Sequence, residues 1–286
     1  MKAILLISGG LGLQCFKTFP ENWEVQMIFT DKGSTAIIDY AREKNVPVFI
    51  GNPRNGKASE WIVRYHPDII FSINYLFLIE DDLINWPIKY CFNIHGSLLP
   101  KYRGRTPHVW AIINNERITG ATVHLVDKGC DTGPVVLQRS FEIDAEETGA
   151  SVLNKFNSLY PEMIREVLEL VKSGRVIVTA QDHSAATIFG VRTPESGKIN
   201  WGWQKERIYN WVRAQAKPYP MAFTFVNGQK LSINKLEFSN YGFSGNDPDG
   251  LVLGLQNDKP VIKTPNGAVS LVEFEGVFPE PGTILL

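Results

Sequence analysis

The stretch DIIFSIN, residues 68–74, is a short apolar run that ends in a polar residue, and four similar runs flank it. Segments with apolar residues at three- and four-residue spacing lie between some of these runs, at 34–45 and 58–66. Apolar strands that alternate with amphipathic helices are typical of a parallel sheet covered by helices on both faces. The sequence therefore predicts an α/β fold of Rossmann-like type. The flanking runs are KAILLIS (2–8), VQMIFT (25–30), VPVFI (46–50) and CFNIHG (91–96).

Two more strands and a long helix extend the same pattern. TGATVHLV (119–126) and VVLQRSFEI (135–143) have the composition of strands, and residues 149–172 have a helical period. We therefore predict a Rossmann-like, mostly parallel α/β domain over residues 1–180, followed by a linker over 181–200.

Beyond residue 200 the sequence changes to one helix and several short strands. QKERIYNWVRA (204–214) has helical spacing, and MAFTFVNGQKLSINKLEF (221–238) shows two strands about an Asn-Gly turn. The remaining residues alternate between short strands and tight turns. The sequence thus predicts a smaller, β-rich C-terminal domain that begins with a helix, over residues 201–286.

The composition is that of a folded protein without a general attraction to polyanions. Lys and Arg number 29 and Asp and Glu 30, so the formal net charge is -1, and we expect neither a nucleic-acid partner nor an anionic membrane surface. Cys15, Cys91 and Cys130 are far apart in the sequence, which favours a reducing compartment over a disulfide framework. No apolar stretch approaches the roughly 20 residues that cross a bilayer. We therefore expect a cytoplasmic protein.

A glycine cluster, ISGGLG at 7–12, follows the first strand and invites comparison with dinucleotide-binding turns. Its spacing does not match G-x-G-x-x-G, and no acidic residue closes the second strand before Thr30. A tight turn from strand to helix explains the glycines better than a nucleotide site.

Three polar residues form the strongest candidate site. Asn93 and His95 are two positions apart in the strand CFNIHG, so they face the same side of the sheet. Asp131 lies in a turn directly before another strand. If the two strands are neighbours, Asp131 can orient the imidazole and stabilise its protonated form, while the Asn93 amide donates to a developing oxyanion. None of the three is a nucleophile, so the substrate must supply its own.

Structural readings of the same residues remain open at this stage. Each could be a satisfied strand or loop residue, and Cys130 beside Asp131 could instead act as a thiol nucleophile. His124, Asp127 and Asp131 could be compared with a metal cluster, but their spacing matches no familiar metal signature, and we predict no metal.

A resemblance to a known family favours the catalytic reading. FNIHGSLLPKYRGRTPHVWAIINNERITGATVHLVDKGCDTG, residues 92–133, closely resembles the signature of the folate-dependent formyltransferases. The resemblance implies that Asn93, His95 and Asp131 are the catalytic trio, that N10-formyltetrahydrofolate is the formyl donor and that an amine accepts the formyl group. It also implies a set of folate contacts: Tyr75, Leu76, Phe77, Leu78, Val126 and Asp127.

Three kinds of acceptor compete within this family: a purine-pathway amine, methionyl initiator tRNA and a nucleotide-linked amino sugar. The purine type resembles only the first domain. Residues 181–286 contain ten basic and ten acidic residues, which does not suit tRNA, and ISGGLG replaces the G-T-P-x-F turn expected of tRNA enzymes.

SLLPKYRGRTPHVWAIINNE (97–116) and WVRAQAKPYPMAF (211–223) look most like the sugar N-formyltransferases, which modify amino sugars for bacterial surface glycans. We therefore predict a homodimer that acts on a nucleotide-linked amino-deoxysugar, such as a dTDP- or UDP-linked 4-amino sugar, with methionyl-tRNA formylation and a non-catalytic folate or nucleotide-sugar binding protein as alternatives. Guanidinium groups suit pyrophosphate oxygens. The predicted substrate contacts are Ser97, Arg105, Arg213 and Tyr219.

Overall fold

The computed structural model describes all 286 residues, which fall into two units. The first comprises Met1–Gly104, Gly120–Phe141 and Asn154–Ile188. The second comprises Arg105–Thr119, Glu142–Leu153 and Phe189–Leu286. The predicted boundaries at residues 180 and 200 divide the chain in simple sequence order, and they stay a prediction.

The chain forms fourteen strands and seven α-helices, with two short 3-10 turns at His183–Ala185 and Pro194–Gly197. The strands are β1 (Lys2–Ile7), β2 (Glu24–Thr30), β3 (Val48–Ile50), β4 (Ile69–Ile73), β5 (Tyr90–His95), β6 (Arg103–Gly104), β7 (Ile118–Leu125), β8 (Val135–Glu142), β9 (Ile188–Phe189), β10 (Ala222–Val226), β11 (Gln229–Ser239), β12 (Val252–Gln256), β13 (Lys259–Thr264) and β14 (Gly267–Glu275). The helices are α1 (Gly9–Lys17), α2 (Thr35–Glu43), α3 (Ser59–Ile62), α4 (Asp81–Ile84), α5 (Pro107–Ile113), α6 (Gly149–Lys172) and α7 (Lys205–Ala214).

The sheet of the first unit has seven strands in the order β3-β2-β1-β4-β5-β7-β8. Pairing is parallel from β3 through β5 and antiparallel between β5 and β7. The central strands are apolar and buried throughout, as in β4 (Ile69–Ile73), because helices cover both faces of a parallel sheet. The predicted Rossmann-like, mostly parallel fold is confirmed. Strand β5 lies at the change from parallel to antiparallel pairing.

The second unit contains an antiparallel sheet of five strands in the order β10-β11-β14-β13-β12. Asn227 and Gly228 connect β10 to β11 with φ of 48° and 79°, the left-handed conformations that a tight hairpin turn requires at both central residues. Ile208 and Trp211 of α7 are buried. The predicted β-rich C-terminal domain is confirmed.

Local structure differs from the sequence pattern mainly around residues 58–66. The predicted helix there is a single turn, α3, which ends at Ile62, and Pro67 disfavours helical backbone at His66. The glycine cluster forms the predicted tight turn: Ser8 alone separates β1 from α1, and Gly9 has a φ of 65°. None of the helices combines the length and apolar character needed to cross a membrane.

Candidate active site

The predicted trio meets at the end of β5 in the first unit. Asn93, which is half-buried, and His95, which is buried, lie on one face of this strand. The loop after β7 places Asp131 next to both side chains. Asp131 Oδ2 lies 3.6 Å from His95 Nδ1, and its Oδ1 lies 3.4 Å from Asn93 Nδ2. The structure thus brings the three side chains together, while their catalytic roles stay predictions.

The position of the His95 proton follows from a backbone contact. His95 Nε2 lies 2.7 Å from the carbonyl oxygen of Tyr102, and because a carbonyl can only accept, Nε2 carries the hydrogen. Burial lowers the pKa of His95 from its usual 6.5, although the charge of Asp131 and the Tyr102 carbonyl oppose this change. The neutral imidazole therefore presents an unprotonated Nδ1 towards Asp131.

His124 is a fourth member of the site, and sequence reasoning considered it only as a metal ligand. It lies directly opposite Asn93 in the β5–β7 ladder, so the two side chains share a face of the sheet. His124 Nδ1 donates to the Leu125 carbonyl at 2.8 Å, which leaves Nε2 to accept from Asn93 Nδ2 at 3.1 Å. His124 thus orients the Asn93 amide. Antiparallel pairing of residues 93 and 124 would have been the signal that identified it.

Asp131 is held as an ionised carboxylate in a left-handed conformation, with a φ of 55°. Gly104 donates its N–H to Asp131 Oδ2 at 2.9 Å. Burial by itself raises the pKa of Asp131, but the positive charge that His95 gains when it is protonated at low pH and the hydrogen bond from Gly104 together hold it well below its usual range. The carboxylate therefore supplies a fixed negative charge beside His95 Nδ1.

The loop between His95 and Gly104 is folded by its own polar groups. Ser97 Oγ donates to the Lys101 carbonyl at 2.7 Å, and the Ser97 carbonyl accepts from Thr122 Oγ1 at 2.7 Å. Tyr102 has a φ of 60°, which is unusual for a bulky side chain. The turn aims the Tyr102 carbonyl at His95.

Gly133, in the D-x-G segment of the signature, is required by close backbone packing. A Cβ atom added to Gly133 would lie 1.8 Å from the carbonyl oxygen of Leu125, so the loop that carries Asp131 would have to move. We expect Gly133→Ala to destabilise the fold by about 3 kcal/mol, and so to lower Tm by roughly 6–12 °C. Thermal unfolding followed by circular dichroism measures this.

Gly10→Ala is the matched control, because its added Cβ meets no atom within 4 Å and its position is helical. That variant should keep or slightly raise Tm. A Gly133→Ala protein with the melting temperature of Gly10→Ala would contradict the packing argument.

Three of the six predicted folate contacts belong to or pack against one apolar cluster of the first unit. Tyr75 belongs to the cluster, and Phe77 and Val126 pack against it. Leu76 and Leu78 remain 46% and 63% exposed, which leaves apolar side chains on the surface of the loop. Burial, together with the charge of Asp31, raises the pKa of Tyr75, whose hydroxyl has no protein partner. Asp127 accepts hydrogen bonds from Gly129 N–H at 3.1 Å and from Thr132 Oγ1 at 2.6 Å.

The four predicted substrate contacts are divided between the two units. Ser97 belongs to the first unit, whereas Arg105, Arg213 and Tyr219 belong to the second. Arg105 is exposed. Burial raises the pKa of Tyr219 to about 12, and its hydroxyl lies 2.8 Å from His108 Nε2.

Arg213 is occupied by structural contacts inside the second unit. Its Nε donates to Asn210 Oδ1 at 2.8 Å, and its Nη1 donates to the carbonyls of Asp144 and Glu147 at 3.2 and 2.5 Å. The side chain is 8% exposed. These contacts favour a role in holding the turn at 144–147, so the substrate role stays a prediction without support from the geometry.

The remaining alternatives for the site can be described from the same contacts. Cys130 is exposed, and its Sγ lies 3.6 Å from Asp131 Oδ2. No group of three or more His, Cys, Asp or Glu side chains in the chain is arranged to hold a metal ion. His124 and Asp131 instead belong to the network around Asn93.

Two protein family models match the chain. A family model described as formyl transferase matches residues 14–168, more than half of the chain, and a second, described as formyl transferase C-terminal domain, matches residues 192–276. The chain belongs to the formyl transferase family. The predicted resemblance is confirmed, and so is the prediction that the protein is an enzyme of this type.

Solved structures share the fold of this formyl transferase. A sugar 3N-formyltransferase, WlaRD, crystallised with dTDP and 5-N-formyl-THF, matches with a TM-score of 0.73 and 20% identity, over 95% of this chain and 97% of its own. An N-formyltransferase from Helicobacter canadensis, in complex with folinic acid and dTDP-3-aminofucose, matches with a TM-score of 0.72 and 19% identity, over 94% and 98%.

HypX from Aquifex aeolicus, a longer protein, also matches. The crystal structure of one of its variants gives a TM-score of 0.65 and 19% identity over all of this chain, which spans 47% of the HypX chain. This formyl transferase therefore corresponds to about half of HypX.

Proposed function

We propose that this formyl transferase moves the formyl group of N10-formyltetrahydrofolate to the amino group of a nucleotide-linked amino-deoxysugar. The observation that carries the proposal is the convergence of Asn93, His95 and Asp131, whose carboxylate lies within 3.6 Å of polar atoms of the other two. They lie at the end of β5, in a unit whose neighbouring loop exposes Leu76 and Leu78.

The predicted folate contacts suit a flat heterocycle whose faces pack on apolar side chains and whose edges carry polar groups. Leu76 and Leu78 offer exposed apolar side chains beside Phe77, and the buried Tyr75 hydroxyl has no protein partner. Ligand sites of this kind are apolar, with a few polar groups that fix orientation. Folate, when bound, supplies a formyl carbon attached to nitrogen.

The trio can support direct attack by an amine on that carbon. A bond forms between the acceptor nitrogen and the formyl carbon, the bond from that carbon to folate N10 breaks, and one proton passes from the acceptor nitrogen to N10. His95 Nδ1 carries no hydrogen in the neutral imidazole and so can take the proton, while Asp131 stabilises the resulting charge. The products are a formamide and tetrahydrofolate.

Asn93 can stabilise negative charge on the formyl oxygen. Its Nδ2 makes a 3.1 Å contact with His124 and a longer 3.4 Å contact with Asp131. The longer contact is the weaker one, and a substrate oxygen would replace it. His124 would keep the amide in position during this exchange.

An amino sugar suits the chain better than tRNA does. Residues 181–286 carry ten basic and ten acidic side chains, whereas phosphate contacts dominate nucleic-acid affinity and need excess positive charge. Two structures with this fold, at 20% and 19% identity, were solved with dTDP or a dTDP-linked 3-amino sugar.

The proposal is tested by incubating the protein and N10-formyltetrahydrofolate with a panel of dTDP- and UDP-linked 3-amino and 4-amino sugars. Mass spectrometry should show the gain of one formyl group on at least one sugar. Formylation of charged methionyl-tRNA with no sugar product would reverse the ranking of acceptors. Formate release without any acceptor would identify a hydrolase instead.

The setting of the reaction is part of the same proposal. We place this activity in a cytoplasmic homodimer that prepares amino sugars for bacterial surface glycans such as lipopolysaccharide O-antigen. Cys15, Cys91 and Cys130 form no disulfide, which suits a reducing compartment. Light scattering on the purified protein tests the dimer.

A further inference from the structure

Residues 179–187, most of which belong to the predicted linker, lie against the loops of the site within the first unit. Thr179 exchanges two backbone hydrogen bonds of 2.8 Å with Val135. At the other end, the Thr187 carbonyl accepts from Arg103 N–H at 2.9 Å, and Thr187 Oγ1 accepts from Tyr102 N–H at 2.8 Å. This returning segment is therefore fixed at both ends to residues that flank the trio.

Gln181 is the link between the returning segment and the loop of Asp131. Its side chain is 8% exposed, and Nε2 donates to the carbonyls of Asp131 and Gly133 at 2.9 and 2.7 Å. Its Oε1 accepts from Arg103 Nη2 at 2.7 Å. A single amide thus uses both donor hydrogens and its acceptor to join two separate loops.

Arg103 is the other half of this link. It is 4% exposed, and its Nη2 contacts Gln181 Oε1 and, at 3.0 Å, His183 Nδ1. Both partners are neutral in this arrangement, because a guanidinium only donates and His183 Nδ1 must accept. A buried cation with neutral partners costs stability. The side-chain contacts of Arg103 therefore do not by themselves explain why an arginine is buried here.

The residues directly before and after Arg103 in the sequence contact the trio. Tyr102 presents the carbonyl that accepts from His95 Nε2, and Gly104 presents the N–H that donates to Asp131 Oδ2. Anchoring Arg103 therefore fixes, on either side of it, the two backbone groups that orient the imidazole and the carboxylate. Tyr102 and Asp131 both have left-handed backbones, which cost about 1–3 kcal/mol each and persist only where surrounding contacts hold them.

We propose that Gln181 and Arg103 are positioning residues, which hold His95 and Asp131 in their reactive geometry through the loops on either side. The inference rests on the proposed function, in which His95 and Asp131 carry the reaction. It assigns a purpose in catalysis to a segment that the sequence presents as a connection between domains.

Gln181→Glu tests the proposal directly. A carboxylate can still accept from Arg103 and gives it a counter-charge, but it cannot donate to the carbonyls of Asp131 and Gly133. We expect kcat to fall about 10- to 100-fold, the scale on which small displacements of reacting groups act, while KM for the formyl donor changes less than about threefold. A loss confined to kcat distinguishes misplacement from weaker binding.

A second readout needs no substrate. In protein labelled with ¹³C and ¹⁵N histidine, the five imidazoles can be observed by NMR, and His95→Asn identifies the His95 signals. We expect Gln181→Glu to shift the His95 resonances, because Asp131 moves relative to Nδ1. If no acceptor is formylated but this shift is seen, the positioning stands and the proposed function fails.

Thr187→Val is a milder second variant that removes only the acceptor for Tyr102 N–H. It should lower kcat several-fold and shift the same His95 signals, and it keeps the test decisive if Gln181→Glu does not fold. Asp182→Asn is the matched control, because the hydrogen bonds of the Asp182 side chain go to Ser184 and not to the loops of the trio. Unchanged kcat and unchanged His95 resonances in folded Gln181→Glu or Thr187→Val, or equal losses in Asp182→Asn, would overturn the proposal.

Discussion

Replacing His95 with asparagine is expected to lower kcat/KM by about 10³-fold, the middle of the range that a positioned acid–base group contributes. The variant loses Nδ1, the atom that faces Asp131 and carries no hydrogen in the neutral imidazole. Asparagine keeps a polar side chain at a buried strand position, so the sheet should fold as before. Single-turnover formylation of an amino sugar measures the chemical step, and circular dichroism checks the fold.

Cys130→Ser provides the comparison for this experiment. The Cys130 thiol is exposed beside Asp131. Serine places a hydroxyl at this position and cannot form a thiolate. We expect its kcat/KM to stay within about threefold of the wild-type value, because the proposed mechanism uses no thiolate nucleophile and a serine hydroxyl can also donate to Asp131 Oδ2. An active His95→Asn protein, together with an inactive Cys130→Ser protein and a trapped formyl-thioester in the wild type, would replace the trio with a thiol mechanism.

The fold was largely predictable because most strands of its first sheet are short apolar runs. Such runs are too short to be mistaken for helices. KAILLIS, DIIFSIN and CFNIHG correspond to β1, β4 and β5, and the Asn-Gly turn marks the hairpin of β10 and β11. Helices α4 and α5 have four and seven residues, which is too short for a period of 3.6 to be recognised. Segments 105–119 and 142–153 join the second unit through long-range packing, which local patterns do not encode.

The residues of the candidate site could be predicted only where they lie close together in the sequence or within the segment that resembles the family signature. Asn93 and His95 share a strand face at spacing two, and Asp131 follows from the resemblance. The role of His124 depends on the register of β5 against β7, and that of Gln181 depends on a segment 50 residues beyond Asp131 that returns to it. The predicted substrate role of Arg213 rests on the resemblance of its segment and on its guanidinium group, whereas in the structure its donors face Asn210 and two carbonyls.

Replacing Asp131 with asparagine is expected to lower the plateau of kcat/KM by about 10²- to 10³-fold, because the charge that stabilises protonated His95 is lost. Asparagine tolerates a left-handed backbone as aspartate does, and its oxygen can still accept from Gly104 N–H. The loss should therefore come from charge rather than from a displaced loop. Melting temperature, compared with that of wild type at neutral pH, checks that the loop remains folded.

The pH dependence of kcat/KM should also change in Asp131→Asn, in a direction that follows from the pKa of His95. In the proposed mechanism activity needs an unprotonated His95 Nδ1, so we expect it to fall as pH drops through the pKa of His95, which burial places below the usual 6.5. Asp131 opposes that lowering, so removing its charge lowers the pKa of His95 further and moves the acidic limb of kcat/KM to lower pH. The ionisation of the acceptor amine is common to both proteins and cancels in their ratio. An acidic limb that moves to higher pH in Asp131→Asn, or a plateau equal to wild type, would show that Asp131 does not act on His95 as the geometry indicates.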